Sequence, residues 1–297
     1  MNSIFSYLTQ FIIAGYSDDM LYTDHSRTFA KNKYVYPVLS RRSKGISVGI
    51  NLTPDRVCNF NCVYCQVDRT NNIPQAKVDI KRISSELKET LESVLSGRLF
   101  TIPPFDNTPV ELRRLSDIAL SGDAEPTTFT NFYEVVEEII RVKQDEIKLV
   151  LITNASCLNR LRVQDAIDLM FRYNGEVWAK LDAGSEYHFK EISRSHISFS
   201  DILSNIIMTA RKHPVIIQSC FNRLAGALPS HDEIILYCNR LKEIKDYGGM
   251  VRLVQIYTVA RPPAEEYVTP LTEDELNLIA REVRKIADLP AEVFAAT

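Results

Sequence analysis

The sequence lacks a basic surplus. Its 297 residues carry 35 Lys and Arg against 38 Asp and Glu, a formal net charge of −3 with a pI near 6.0. A protein that grips nucleic acid must neutralise phosphates with cations, so tight nucleic-acid binding is not expected. Short basic clusters, Arg41-Arg42-Ser43-Lys44 and Arg113-Arg114, read as solvated surface. The chain also lacks a run of about 20 apolar residues, the length needed to span a bilayer. The stretch Phe11 to Ala14 has no basic leader before it and Asp18-Asp19 soon after it. It is expected to be part of a helix packed on the core, not a signal peptide, and the protein is expected in the cytoplasm. There is no internal repeat and no convincing linker. With 45% hydrophobic and 25% charged residues, a sizeable folded core is within reach.

Cysteine is scarce, and its placement is uneven. Three of the six, Cys58, Cys62 and Cys65, fall within eight residues of "VCNFNCVYCQVDR", with the spacing C-x3-C-x2-C. No fourth stands nearby. Cys157, Cys220 and Cys238 are far apart and unpaired. A structural zinc site wants four ligands, commonly in two paired motifs, and His188, His196 and His213 are too scattered to complete one. A ferredoxin-type carrier uses a C-x2-C-x2-C run plus a fourth cysteine. A disulfide would strand one thiol and is disfavoured in a reducing compartment. Three thiolates on a four-iron cluster would leave one iron open to a small chelating molecule.

Along the chain, short β-rich runs alternate with helical patterns. The runs are 46–53, 117–122, 148–154, 176–183, 214–221 and 251–259, mostly continuous apolar stretches. Such runs suit parallel strands covered on both faces. Helices are expected over 79–97, 130–144, 160–173, 199–212, 230–248 and 272–287. In the first, Ile83, Leu87, Leu91 and Leu95 form an apolar stripe, and Gly97 stops the helix. Ser200 and Ser230 are candidate N-caps, and Thr272 with Glu275 predicts a capping box. Residues 98–116 read as an irregular insertion.

Six strand–helix units predict an α/β fold: a partial (β/α)6 TIM-like barrel with parallel strands, an N-terminal extension (1–45) and a C-terminal helix. A doubly wound sheet fits the pattern nearly as well. The cysteines then follow the first barrel strand, at the carboxyl end where active sites of parallel folds gather.

This cysteine spacing, with Tyr64 before the last cysteine, resembles the radical S-adenosylmethionine (SAM) superfamily. The resemblance implies that Cys58, Cys62 and Cys65 bind a [4Fe-4S] cluster whose open iron chelates SAM. It further implies reductive cleavage of SAM to a 5′-deoxyadenosyl radical, which takes hydrogen from a substrate. "LSGDAEPT" (120–127) is similar to the superfamily's SAM-ammonium motif, with Ser121, Gly122, Asp123 and Glu125 matching and Ala124 where a second glycine is usual. The competing reading is a plain turn in which Asp123 and Thr127 start a helix. Asn154 in "ITNAS", and Lys180 and Asp182 in "KLDAG", are placed for SAM contacts; for the last two, a strand-end salt bridge competes evenly. Gln218 and Gln255 interrupt apolar strands and are expected to face the interior and meet cofactor or substrate. Cys220 reads as a hydrogen-atom donor or a buried structural thiol, the second favoured; Cys157 and Cys238 read as structural.

These motifs and the tail "VQIYTVARPPAEEYVTPLT" look like the wyosine-synthase-like branch. Its tRNA-modifying members carry extra upstream cysteines, and none precedes Cys58 here. Three functions stay open: modification of an RNA or nucleoside, activation of a peptide or protein, or simple iron–sulfur electron carriage. The enzyme readings require a reductant such as flavodoxin or ferredoxin.

Overall fold

The computed structural model describes residue 27, residues 29–69 and residues 78–296. The helix expected around Phe11 lies outside them. An eight-stranded sheet dominates. Its strands are β1 (Val35–Ser40), β2 (Gly45–Ile50), β3 (Leu115–Leu120), β4 (Lys148–Thr153), β5 (Gly175–Lys180), β6 (Val215–Cys220), β8 (Val251–Tyr257) and β10 (Ala291–Phe294), adjacent in that order. All neighbours from β2 onward are parallel. Spatial order follows chain order without reversal, as in a barrel; a doubly wound sheet would switch direction midway. The edges β1 and β10 are not paired with each other, so the sheet is a half-barrel open at one seam. A small antiparallel pair, β7 (Asn222–Leu224) with β9 (Val268–Pro270), stands apart.

All six strands read from the sequence are present. The burial explains their apolar character: every residue of β2 and β6 is buried. The two strands of this sheet outside that reading are β10, after the last helix, and β1, which lies within the stretch read as an N-terminal extension. β1 pairs antiparallel with β2 and contains Pro37 opposite Val48. A proline belongs on an edge strand, where one side needs no N–H donor. That same proline hides the strand from a pattern search.

Helices α1 (Ile80–Leu95), α2 (Phe132–Val142), α3 (Leu161–Arg172), α4 (Glu186–Ser193), α5 (Phe199–Lys212), α6 (His231–Asp246) and α7 (Glu273–Glu282) cover the sheet. The stripe on α1 needs a correction. Ile83, Leu87 and Leu91 are buried, but Leu95 is 53% exposed and Val94 is buried instead. Three i, i+4 steps rotate the stripe about 120° past its start, whereas i+11 falls back within about 20°. Gly97 has φ 79°, the left-handed conformation that ends the helix. The cap of α5 is Ser198, not Ser200: Ser198 Oγ accepts from Asp201 N at 3.1 Å, and Phe199 is already buried. Ser230 caps α6, and the Thr272–Glu275 capping box is formed. The last helix then ends in one π-helical turn, Val283–Ala287. Of residues 98–116, the stretch to Leu112 forms three 3-10 turns anchored by buried Leu99 and Phe105, and Leu115 and Ser116 already belong to β3. Among the described residues no helix is long and apolar enough to cross a membrane.

Inside the half-barrel, Ala119, Val150, Trp178 and Ile216 form an apolar floor. Below it, at the amino ends of the strands, Glu176 is buried among cations. It pairs with Lys148 at 2.8 Å and with Arg252, and accepts from Trp178 Nε1 at 2.9 Å. Burial works to raise its pKa, but these three donors outweigh burial and hold it below the ordinary range of a glutamate. A depressed carboxylate adds stability above its unfolded pKa and loses it as pH falls through the folded one. Urea midpoints measured from about pH 7 down to about pH 3 should therefore fall further for wild type than for Glu176→Gln. Equal declines would remove Glu176 from the account of acid sensitivity.

Candidate active site

The chain leaves β2 into a loop without regular structure, Asn51 to Arg69. Three neighbours hold it. Asn61 N and Val63 N donate to Ser193 O and Ile192 O at 3.0 and 2.9 Å, at the end of α4. Asn59 Nδ2 donates to Ser156 Oγ at 2.7 Å, and Asn154 Nδ2 donates to Asn59 Oδ1 at 2.9 Å, beyond β4. Ala264 N donates to Cys65 O at 3.0 Å, and Gln66 Nε2 to Arg261 O at 2.7 Å, after β8. The Arg261 tail therefore docks on the cysteine loop. Buried Phe60, Val63 and Val67 anchor the loop from below, with Phe60 edge-on to Phe189 at 5.8 Å.

Cys58, Cys62 and Cys65 are half-buried, free of disulfides, and line one cavity of about 370 Å3. Among the described residues no three His, Cys, Asp or Glu side chains converge into a ready metal site. The thiols share a wall, not a point. Burial raises Cys58, and burial with Asp182 raises Cys62 to about 12, so the bare loop holds Cys62 as a neutral thiol. Three thiols on one short loop, facing a cavity large enough for a further ligand, fit the donor set of an iron–sulfur cluster with one iron left open.

The end of β3 meets the same cavity. Gly122 is required there: a Cβ would lie 2.3 Å from Asn51 Oδ1 and 2.9 Å from Asn51 Cα. Asn51 Nδ2 donates to Asp123 Oδ2 at 2.6 Å, and its Oδ1 accepts from Asp123 N at 3.2 Å. Arg27 pairs with Asp123, and Arg69 donates to Asp123 O at 3.0 Å. Ser121 O accepts from the Tyr36 hydroxyl at 3.2 Å. Glu125 is 3% exposed. Its Oε1 accepts from Thr127 N at 3.2 Å, from the Thr127 hydroxyl and from Thr153 Oγ1 at 2.7 Å, and its Oε2 from Asn154 N at 2.6 Å. Burial raises its pKa against these donors. Glu125 thus staples the β3 turn to the end of β4, and only Oε2 keeps acceptor capacity to spare. Asn154 is engaged too: its Oδ1 accepts from Ser156 N at 3.0 Å and Ser156 Oγ at 2.6 Å.

On the far wall, Lys180 and Asp182 form the salt bridge that the sequence left open, at 3.2 Å. The pair extends into a network. Lys180 Nζ donates to the Tyr257 hydroxyl at 2.6 Å. Tyr64, from the cysteine loop, donates to Asp182 Oδ2 at 2.5 Å, and Cys220 N donates to Asp182 Oδ1 at 2.7 Å. Burial works against the ammonium, but Asp182 and Tyr257 outweigh it and hold Lys180 above its usual pKa. Burial raises Cys220 to about 11 and Tyr257 to about 12.

Gln218 and Gln255 differ from expectation. They occupy register positions of the inward-facing residues, but Gln218 Nε2 donates to Gln255 Oε1 at 2.7 Å, and neither lines the cavity. Two adjacent amides satisfy each other more cheaply than either waits for a ligand. Cys157 and Cys238 are buried away from the network, Cys238 within α6. Tyr257, Arg27, Arg42, Asn51 and Arg69 were missed. Tyr257 was findable, since it follows Gln255 by two residues on the same face.

The geometry defines a half-barrel protein with a three-thiol loop roofing a cavity lined by the carboxyl ends of its strands. The family model of the Radical SAM superfamily matches residues 52–226, more than half of the sequence, and the chain belongs to that superfamily. It is 24% identical to a Brachyspira hyodysenteriae protein named GTPase Obg, over 87% of this chain and 34% of that protein. It is 28% identical to a UPF0026 protein of Methanocaldococcus jannaschii, over 79% of this chain and 65% of the relative. The chain thus spans less than two thirds of either relative's length. A crystal structure of archaeal TYW1 aligns over 92% of this chain and 90% of that one, with a TM-score of 0.50 at 12% identity, a likeness of fold.

Proposed function

We propose that this protein is a cytoplasmic radical SAM enzyme in which Cys58, Cys62 and Cys65 hold one [4Fe-4S] cluster. The observation that supports this reading best is convergence: the three thiols, Ser121, Gly122, Ala124, Glu125, Asn154, and the Lys180–Asp182 pair all line one cavity. When bound, the cluster would supply, through its open iron, the electron that cleaves SAM to methionine and a 5′-deoxyadenosyl radical. The chain's own residues would bind, orient and shield.

The β3 turn is the place for the SAM ammonium. The spare lone pair on Glu125 Oε2 and the Ser121 backbone suit a cation. Lys180 has three N–H donors, of which two are engaged; the third suits a SAM carboxylate or ribose oxygen. Asp182 positions Tyr64, and through it the cysteine loop. Asn154 acts through Asn59 on the same loop. The apolar floor around Trp178 excludes water beneath the reacting atoms. A flavodoxin or ferredoxin would deliver the electron.

The test is anaerobic reconstitution with iron and sulfide, reduction with dithionite, addition of SAM, and mass spectrometry. Formation of 5′-deoxyadenosine is expected. A protein with a full cluster that binds no SAM would contradict the reading and favour electron carriage.

A further inference from the structure

The cavity carries a charge that the whole chain does not. Against a net charge of −3, its described lining includes five arginines and Lys180 but only three carboxylates. Those carboxylates are already engaged. Asp117 accepts from the Ser47 hydroxyl near the floor, Glu125 holds the β3 turn, and Asp182 holds Lys180 and Tyr64. Arg27 is paired with Asp123, which completes that account.

Arg42 and Arg261 stand differently. Arg42 sits in the β1–β2 turn and stacks its guanidinium over the Tyr257 ring at 4.8 Å. The contact crosses the open seam, from the β1 edge to the end of β8. Arg41, its neighbour, donates to Ala295 O at 2.6 Å across the same seam. Arg261 follows β8 directly, and its backbone receives Gln66. Neither Arg42 nor Arg261 has a carboxylate within salt-bridge distance among the described residues. Burial and repulsion by Arg27, Arg41 and Arg42 lower Arg261 to about 10, as expected of crowded like charges without an anion. Arg69 adds a buried Nε–H with no acceptor among the described residues, which is costly unless something accepts from it.

We propose that Arg42 and Arg261 clasp the phosphate of a small phosphomonoester substrate at the seam of the half-barrel, with Arg69 adding to the positive field. A guanidinium offers a planar fork of donors that matches phosphate oxygens. Several guanidiniums around one space suit a dianion better than a single carboxylate. A cavity of about 370 Å3 admits a small ligand, and the acidic chain is poorly suited to a polyanion. The assignment of this phosphate to the substrate rests on the proposed enzyme; the anion site itself needs neither iron nor reductant.

The test is titration calorimetry of inorganic phosphate into the full chain at low salt. Wild type should bind phosphate and bind acetate more weakly. Arg261→Gln and Arg42→Gln should each weaken phosphate about 10- to 100-fold, with circular dichroism melts confirming the fold. Arg261→Lys should recover part of the loss, and SAM should leave phosphate binding in place. No phosphate binding by wild type, equal binding by folded variants, equal affinity for acetate, or displacement by SAM would each overturn the proposal. A failure here leaves SAM cleavage untouched, so it is distinguishable from a failure of the enzyme reading.

Discussion

Cys65→Ala protein, reconstituted with iron and sulfide, should lack the iron–sulfur absorption of wild type and form no 5′-deoxyadenosine. A cluster held by three thiolates loses a third of its protein ligands in this variant, and no fourth cysteine lies on the loop to replace it. Cys65 is half-buried, and the alanine keeps the backbone bonds from Cys65 N to Cys62 O and from Ala264 N to Cys65 O. Folding should therefore survive, and the loss should be specific to the cofactor. Cys238→Ala offers the contrast. Its thiol is fully buried, so it should lower the melting temperature while leaving absorption and product intact. If Cys65→Ala kept a full spectrum, the three-thiol assignment would fall.

Asp182→Ala should carry the second large effect. Asp182 accepts from Lys180, Tyr64 and Cys220 N. Removing one partner of a largely buried ion pair leaves the other charge uncompensated, at a cost of about 3–5 kcal/mol in full burial. Here the two side chains are 17% and 13% exposed, so about 3 kcal/mol is the better figure. The variant also releases Tyr64, which sits between Cys62 and Cys65. It should unfold at lower urea and take up less iron per chain. Asp182→Asn preserves an acceptor for Cys220 N and should recover part of the stability. Unchanged iron content in a destabilised Asp182→Ala would separate the network from the cysteine loop.

Much of this site was legible because its chemistry demands rare residues at fixed spacing. Cysteines at 58, 62 and 65 stand out against a chain with six, and apolar runs flag strands buried on both faces. At Gly122 the close approach that excludes a Cβ is to Asn51. The misreadings share a cause: polar residues can satisfy one another. Gln218 and Gln255 look like ligand contacts singly, but parallel register puts them side by side. Glu125 keeps its place beside the cavity, but its motif does not show that Thr153 and Asn154 share its oxygens from the next strand. The Arg42–Tyr257 contact joins positions far apart in the chain across an unpaired seam. No local pattern announces it, and the arginine cluster was accordingly read as solvated surface.

The central claim is that three thiols hold a cluster whose fourth iron receives SAM. Electron paramagnetic resonance of the dithionite-reduced protein, with and without SAM, tests it most directly. The account predicts a reduced [4Fe-4S] signal whose g-values shift when SAM is added and stay put with methionine-free analogues. A cluster signal indifferent to SAM would contradict it.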